Sequence, residues 1–422
     1  MKICAVICEF NPFHNGHAYL LERARELSGC DAVMCIMSGN FTQRGEPAIA
    51  DKMTRANMAI QCGADVVVQM PTYFESTNAE VYAMAGIKIV SSFKNVTHIC
   101  FGSESGDITT IKELATLLAK EPPFFRKEIK KNLEDGYSLG ISKLRAIQEV
   151  INNGKAIFSH PEQAKKLLNL PNNILAVEYV RTLINLNSKI IPLTVKILNH
   201  GNEDVDYVIS NASSIRKSIY ESKRIYSIHR FLPTLAYDTL AESLSKFSVP
   251  NKKTYGTLAL FKLSTTNINA LQECYDMVEG IENRLIQLAR ENNDFDTFID
   301  LASSKRFSVN RLQRIIINAM LDIRTTFVQK IYEIDHLPYV KVLAIKDESK
   351  ILSAVSECKS IVIMRKQDVI VAKKDEFARV LMYTEDRATA LYSLLLDLTK
   401  EQKQSFNDTS DVYEKPIFYK KK

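Results

Sequence analysis

Two histidines three residues apart, His14 and His17, flank Asn15 and Gly16 directly after the apolar run Ile3 to Cys8. On the opening turn of a helix, that spacing lets both imidazoles donate hydrogen bonds to one phosphate region. A helix N-terminus adds unpaired N–H groups and the positive end of its dipole. Gly16 carries no side chain, so a nucleotide base or ribose can lie against its backbone. Donors placed this way stabilise charge that builds on an α-phosphate and a leaving pyrophosphate as a nucleophile attacks. A pair of capping or merely exposed histidines is the plainer alternative. The position after an apolar strand favours phosphate chemistry.

Other residues extend the set. Ser210-Asn211-Ala212-Ser213-Ser214-Ile215-Arg216 opens a helix with small hydroxyl residues and a basic side chain in its first turn, suited to β- and γ-phosphates. Ser38, Asn40, Arg44 and Glu46 occupy a polar loop at a strand's carboxyl end and are candidate substrate-loop residues. Lys52 and Arg55 share a helical face, where ion pairing is the alternative to a substrate role. Gly102 ends another strand where a base could approach the backbone. Asn173 is either a nucleotide reader or a helix cap. Farther along, Lys305, Arg306, Phe307, Arg311 and Arg314 form a basic stretch with one aromatic, a candidate RNA contact: the cations for phosphates, Phe307 for an unpaired base.

The elements that must hold these residues follow from apolar periodicity. Strands are expected at Lys2–Cys8, Asp31–Met37, Asp65–Met70, Val96–Phe101 and Ile190–Leu198. Helices are expected at about Gly16–Leu27, with Gly29 at its C-terminal turn, then Ala48–Cys62 and Asn78–Ser91. Continuous rather than alternating apolar runs predict a parallel sheet covered on both faces, a doubly wound α/β fold that binds ligands at its strands' carboxyl ends. Residues 107–189 read as a mainly helical insertion. Domains are expected at 1–225 and 226–422, the second mainly helical through Ala270–Asn292 and Val309–Tyr332. Strand-like segments are expected at Val340–Ile345 and Ser360–Met364. The polar segment Gln402–Lys422 reads as a loosely held tail.

Composition sets the outer limits. The 422 residues are 46% hydrophobic and 25% charged, which excludes a disordered or fibrous chain. The net charge of +6 admits a nucleic-acid partner without demanding one. The eight cysteines form no CxxC pair and do not cluster with histidine, which predicts reduced buried thiols in a cytoplasmic protein and no metal centre. No apolar run approaches the length of a membrane span, so no membrane partner is expected.

The run Glu9-Phe10-Asn11-Pro12-Phe13-His14-Asn15-Gly16-His17 resembles the HIGH-motif nucleotidyltransferase superfamily. Met37 to Ala48, Asp51-Lys52, Arg55, Gly63-Ala64-Asp65, Phe101-Gly102-Ser103-Glu104 and Pro171-Asn172-Asn173-Ile174-Leu175 are similar to the bacterial tRNA(Met) cytidine acetate ligase family. Similar strings continue at Glu279 to Arg284, Lys305-Arg306-Phe307 and Leu337 to Val340, so the resemblance spans nearly the whole chain. It implies a Rossmann-like nucleotidyltransferase domain and a two-step reaction. Acetate and ATP give acetyl-adenylate, and the acetyl group passes to N4 of the wobble cytidine, C34, of elongator tRNA(Met). Mg2+ would accompany the ATP phosphates, and acetyl-CoA would not be needed. It further implies His14 and His17 as the catalytic pair. The implied ATP site is Ile7, Cys8, Glu9, Phe10, Asn11, Pro12, Phe13, His14, Asn15, Gly16, His17, Ala18, Tyr19 and Leu20, with Gly102, Asn173, Lys196, Ser213, Ser214 and Arg216. One departure is Ile197, in Lys196-Ile197-Leu198-Asn199-His200-Gly201, where the family favours an arginine. A small-molecule adenylyltransferase and a non-catalytic ATP- and RNA-binding protein remain the alternatives.

Overall fold

The computed structural model of the chain describes all residues except 138, 157, 199–207, 223–224, 279, 408–409 and 421–422. Its sheet is built from β1 (Ile3–Cys8), β2 (Ala32–Ser38), β3 (Val66–Met70), β4 (Val96–Ser103), β5 (Ile191–Lys196), β6 (Tyr339–Lys346) and β7 (Ile361–Ile363), with β8 (Ile417–Tyr419) beside β6. The order is β5-β4-β1-β2-β3-β6-β7, and the first five strands run parallel. β1 is followed on one side by β2 and on the other by β4, so the winding reverses between β1 and β4. That crevice, at the strands' carboxyl ends, is where such sheets receive ligands.

Both faces of β1 are buried, which explains its unbroken apolar sequence. Ile3, Ala5 and Ile7 enter one core, while Cys4, Val6 and Cys8 enter the other. The helix Asn15–Ser28 packs on the second face and stops at Gly29, whose positive φ of 58° lets its N–H reach the Arg25 carbonyl at 3.0 Å. The next helix begins at Lys52 rather than Ala48, because the Asp51 carboxylate caps the N–H groups of Met53 and Thr54, each at 2.9 Å. The helix Pro171–Asn185 carries its proline in the first turn and covers the other face of the sheet.

The second half departs from expectation in three places. The long helices expected at Ala270–Asn292 and Val309–Tyr332 are each broken, into Ile268–Gln272 and Ile281–Glu291, and into Val309–Met320 and Thr325–Glu333. The two breaks meet: Cys274 bridges Arg324, and Tyr275 N–H donates to the Ile323 carbonyl at 2.8 Å. Tertiary pairing satisfies backbone groups that helix continuation would otherwise have bonded. Second, the sheet crosses the division expected near residue 225, for β6 lies antiparallel to β3 with Val66 opposite Ile345. Third, the expected loose tail is anchored. β8 pairs with β6, and the buried Asp411 meets Lys52 at 2.5 Å and Lys341 at 3.2 Å. Two buried lysines without a carboxylate would be costly, which accounts for the anchoring.

Candidate nucleotide site

His14 is the N-cap of the helix Asn15–Ser28, and its Nδ1 accepts the Gly16 N–H at 3.1 Å. His17, three residues on, accepts the His14 N–H on its own Nδ1 at 3.2 Å. Each Nδ1 is thus an acceptor, which puts the proton of each neutral ring on Nε2. The rings stack with centroids 3.7 Å apart. Burial, with the nearby Arg216 guanidinium, pulls the His14 pKa down to about 4; burial and the neighbouring His14 hold His17 well below its ordinary value. At neutral pH the pair is two uncharged Nε2–H donors.

The sequence suggested that backbone N–H groups of the helix start would meet the ligand directly. Instead the Gly16 N–H is taken by the His14 ring, and the His17 N–H bonds the His14 carbonyl at 2.8 Å. The imidazoles therefore relay the polarity of the helix end outward through Nε2–H. The role expected of Gly16 changes with this. A Cβ there would lie 3.0 Å from His14 Cε1, so the missing side chain makes room for the imidazole rather than for a base.

These residues open onto a cavity of about 680 Å³ at the carboxyl ends of β1, β4 and β5. From the expected ATP set, Ile7, Cys8, Glu9, Phe10, Asn11, His14, Gly16, His17, Tyr19, Leu20, Gly102, Lys196, Ser213 and Arg216 line it. Arg216 donates to the Asn11 carbonyl at 2.9 Å and to Ser213 Oγ at 3.3 Å, which ties the second helix start to the first. Gly102 faces Ile197, whose Cγ1 would lie 3.2 Å from an added Cβ. Asn199, His200 and Gly201 lie outside the described residues.

The remaining members of that set stand behind the wall. Asn15 is buried and donates to the Val208 and Arg230 carbonyls, both at 3.0 Å. Pro12 and Phe13 are buried under the loop, and Ala18 is half-buried on the helix. Asn173 accepts the Ser105 N–H at 3.1 Å, while its own N–H caps onto Glu104 at 2.9 Å. It positions the turn after β4 instead of facing the cavity. Ser214 donates its N–H to Asn211 Oδ1 at 2.8 Å, so Asn211 is the cap of that helix.

The expected substrate loop divides in the same way. Arg44 lines the cavity, and so do Thr42 and Gln43, which sequence reasoning did not single out. Asn40 instead accepts the Lys52 N–H at 2.9 Å, and Ser38 Oγ meets Tyr82 Oη at 3.4 Å. Glu46 accepts from Gln313 Nε2 at 3.5 Å. Lys52 and Arg55 are both buried: Lys52 pairs with Asp411, and Arg55 donates to the carbonyls of Glu9 at 2.6 Å, Ala50 at 2.9 Å, Ser38 at 3.2 Å and Gly39. Arg55 is a buried brace joining the ends of β1 and β2.

Glu9 accepts the Gln43 N–H at 2.6 Å and is surrounded by Arg216, Arg44 and Arg55; burial outweighs these cations and raises its proton affinity. Tyr82 and Tyr179 also line the cavity. Neither is legible from sequence, because each sits in a helix whose pattern reads simply as core.

Of the expected RNA residues, Lys305 and Arg306 are exposed, but Phe307 is buried beneath the Arg311 guanidinium, 4.4 Å from its ring centroid. Arg311 is committed to Asp276 at 2.6 Å, and burial lowers the proton affinity of Arg314. Phe307 therefore packs the core and presents no face to a base. Among the described residues no helix is long and apolar enough to cross a membrane.

Against known proteins, residues 1–408 match the family model described as HIGH Nucleotidyl Transferase. A tRNA(Met) cytidine acetate ligase of Clostridium perfringens is 37% identical over 402 residues, 94% of this chain and 96% of that protein. One from a Thermoanaerobacter species is 33% identical over 399 residues, 93% and 95% of the two chains. The crystal structure of Thermotoga maritima TmcAL bound with alpha-thio ATP superposes with a TM-score of 0.89 at 28% identity, covering all of both chains; its apo form gives 0.90 at 27%. The chain belongs to the tRNA(Met) cytidine acetate ligase family of HIGH nucleotidyltransferases.

Proposed function

We propose that the protein is a ligase that activates acetate with ATP and acetylates N4 of the wobble cytidine, C34, in elongator tRNA(Met). The observation that carries this reading is the His14–His17 pair: two neutral imidazoles, each with Nδ1 satisfied by backbone, sharing one cavity with Arg216. In the first step an acetate oxygen attacks the α-phosphorus and pyrophosphate leaves. The Nε2–H donors and Arg216 stabilise the charge that grows on the phosphate oxygens, in a site where burial strengthens such interactions. No base is needed, because acetate is already ionised. In the second step the cytidine N4 attacks the acetyl carbonyl and AMP leaves; Glu9, with its raised proton affinity, is placed to take the N4 proton.

ATP is the co-substrate, and free acetate rather than acetyl-CoA supplies the acyl group. Mg2+ would travel with the phosphates. Glu9 is the only carboxylate among the described lining residues, in keeping with a cation held mainly by its nucleotide. Residues 1–225 carry the nucleotide chemistry, and the mainly helical 226–422 presents the anticodon loop, with exposed Lys305 and Arg306 as phosphate contacts. Eight free cysteines suit a reducing, cytoplasmic setting.

The test is ATP–pyrophosphate exchange by the full chain, with and without acetate and without RNA. Acetate-dependent exchange that His17→Ala lowers about 10²–10³-fold is the expected result. Silence in the wild-type protein, with and without bulk tRNA, would refute the reading.

A further inference from the structure

On one side of the sheet the cavity has a mostly buried wall that the phosphate chemistry leaves unused. β1 sends Cys8 to the histidine side of the sheet and Ile7 to the other. On Ile7's side the walls are Phe101, Leu175, Tyr82 and Tyr179. Tyr179 is 4% exposed, and its ring centroid lies 5.7 Å from that of Phe101. Its hydroxyl has no hydrogen-bond partner among the described residues, and the ionisable groups that act on it are the cavity-lining Cys8 and Glu9. The Tyr82 hydroxyl has a long contact to Ser38 Oγ at 3.4 Å. Burial keeps both phenols protonated, so both are donors. Buried hydroxyls are ordinarily bonded, and one left open toward a cavity is completed by what binds there.

We propose that this side of the cavity is the acid subsite, where Tyr179 and Tyr82 donate to a carboxylate oxygen while Ile7, Phe101 and Leu175 flank a short alkyl group and limit its length. The proposal rests on the reading of the cavity as an acid-activating site. Two observations favour a small free acid over the cytosine base. The walls are mostly buried, with Ile7 at 8% and Phe101 at 3% exposure and Leu175 half-buried. Among the described lining residues Arg44, Lys196 and Arg216 are cationic and Glu9 is the one carboxylate, a field that favours an anion. In the step itself a carboxylate oxygen bonds to the α-phosphorus, the bond from that phosphorus to the bridging oxygen breaks, and its electron pair leaves with pyrophosphate.

The experiment is acid-dependent ATP–pyrophosphate exchange by the full chain with acetate, propionate and butyrate. Tyr179→Phe removes an oxygen that no described residue bonds, so folding is preserved. It is expected to raise the KM for acetate about tenfold, with the KM for ATP moving less than twofold. Leu175→Ala is expected to raise the butyrate-to-acetate ratio of kcat/KM at least about tenfold. An unchanged acetate KM together with an unchanged chain-length ratio overturns the subsite. So does a rise in the KM for ATP, which would make the pocket the nucleotide's, or a rise confined to the KM for tRNA, which would make it the base's. A wild-type protein that gives no exchange with any acid, even with tRNA present, overturns the functional reading and the subsite with it.

Discussion

Gly45 lies against the backbone of Gln313. A Cβ at Gly45 would sit 2.6 Å from the Gln313 carbonyl carbon and oxygen, and its φ of 81° is in the left-handed region. The loop that carries Arg44 is thereby seated on the helix Val309–Met320, and Tyr255 Oη donates to the Gly45 carbonyl at 3.1 Å. The wall of the nucleotide site and the helical half of the chain are in direct backbone contact.

Gly45→Ala combines an unfavourable φ with overlap against a backbone that cannot yield. It is expected to destabilise the protein by about 1–3 kcal/mol and to lower exchange by displacing Arg44. Urea denaturation beside an exchange assay checks both; a variant of wild-type stability and rate would show that the loop does not depend on this seat.

His17→Ala removes one Nε2–H donor and leaves the His14 N–H without its acceptor. Exchange is expected to fall about 10²–10³-fold, the usual effect of losing one donor to a developing oxyanion. Retained exchange would assign transition-state stabilisation to Arg216 and His14 alone.

Glu75 is buried, accepts the N–H groups of Gly39 and Phe41, and faces Glu385; burial and that second carboxylate push its pKa up to about 8. An acid whose pKa is raised in the folded state contributes stability that is full below its ordinary value of 4.5 and lost as pH rises through about 8. The stability of the wild type relative to Glu75→Gln should therefore fall between those limits, with a slope of at most about 1.4 kcal/mol per pH unit. Denaturation across that range measures it, and a flat difference would mean the side chain stays charged throughout.

Asp411→Asn takes the nearest carboxylate from Lys52 and Lys341, and Glu385, 3.8 Å from Lys52, cannot replace it for both. The expected cost is about 3–5 kcal/mol, read as a drop in the denaturant midpoint. A cost near zero would show that these lysines are neutral or hydrated when folded.

Lys305→Ala with Arg306→Ala should weaken tRNA binding and flatten its dependence on salt by about 0.7 per lost phosphate contact. Acetate-dependent exchange without RNA should change far less. An unaltered salt slope would move the RNA surface elsewhere.

The parallel core was legible because strands buried on both faces are written as unbroken apolar runs, as in Ile3 to Cys8 and Val66 to Met70. The histidine pair was legible because its spacing and its place after β1 are local. What escaped depends on distant partners. Asp411 reads as part of a loose polar tail until that tail folds back onto β6 and meets Lys341, and Phe307 reads as a free aromatic until Arg311 covers it. Tyr82 and Tyr179 come from separate helices on one face of the sheet, and no local pattern links them.

The anchoring of Asp411 also orders the protein's biosynthesis. The strands β1 to β5 and the residues of the nucleotide site emerge from the ribosome well before residues 411–419, yet Lys52 and Lys341 meet their carboxylate only when those late residues arrive. A nascent chain can thus form its parallel sheet during translation while its edge at β6 stays open and two lysines lack a countercharge. Products of premature termination keep the histidine pair but lack both the carboxylate between the two lysines and the β8 pairing that covers part of the β6 edge.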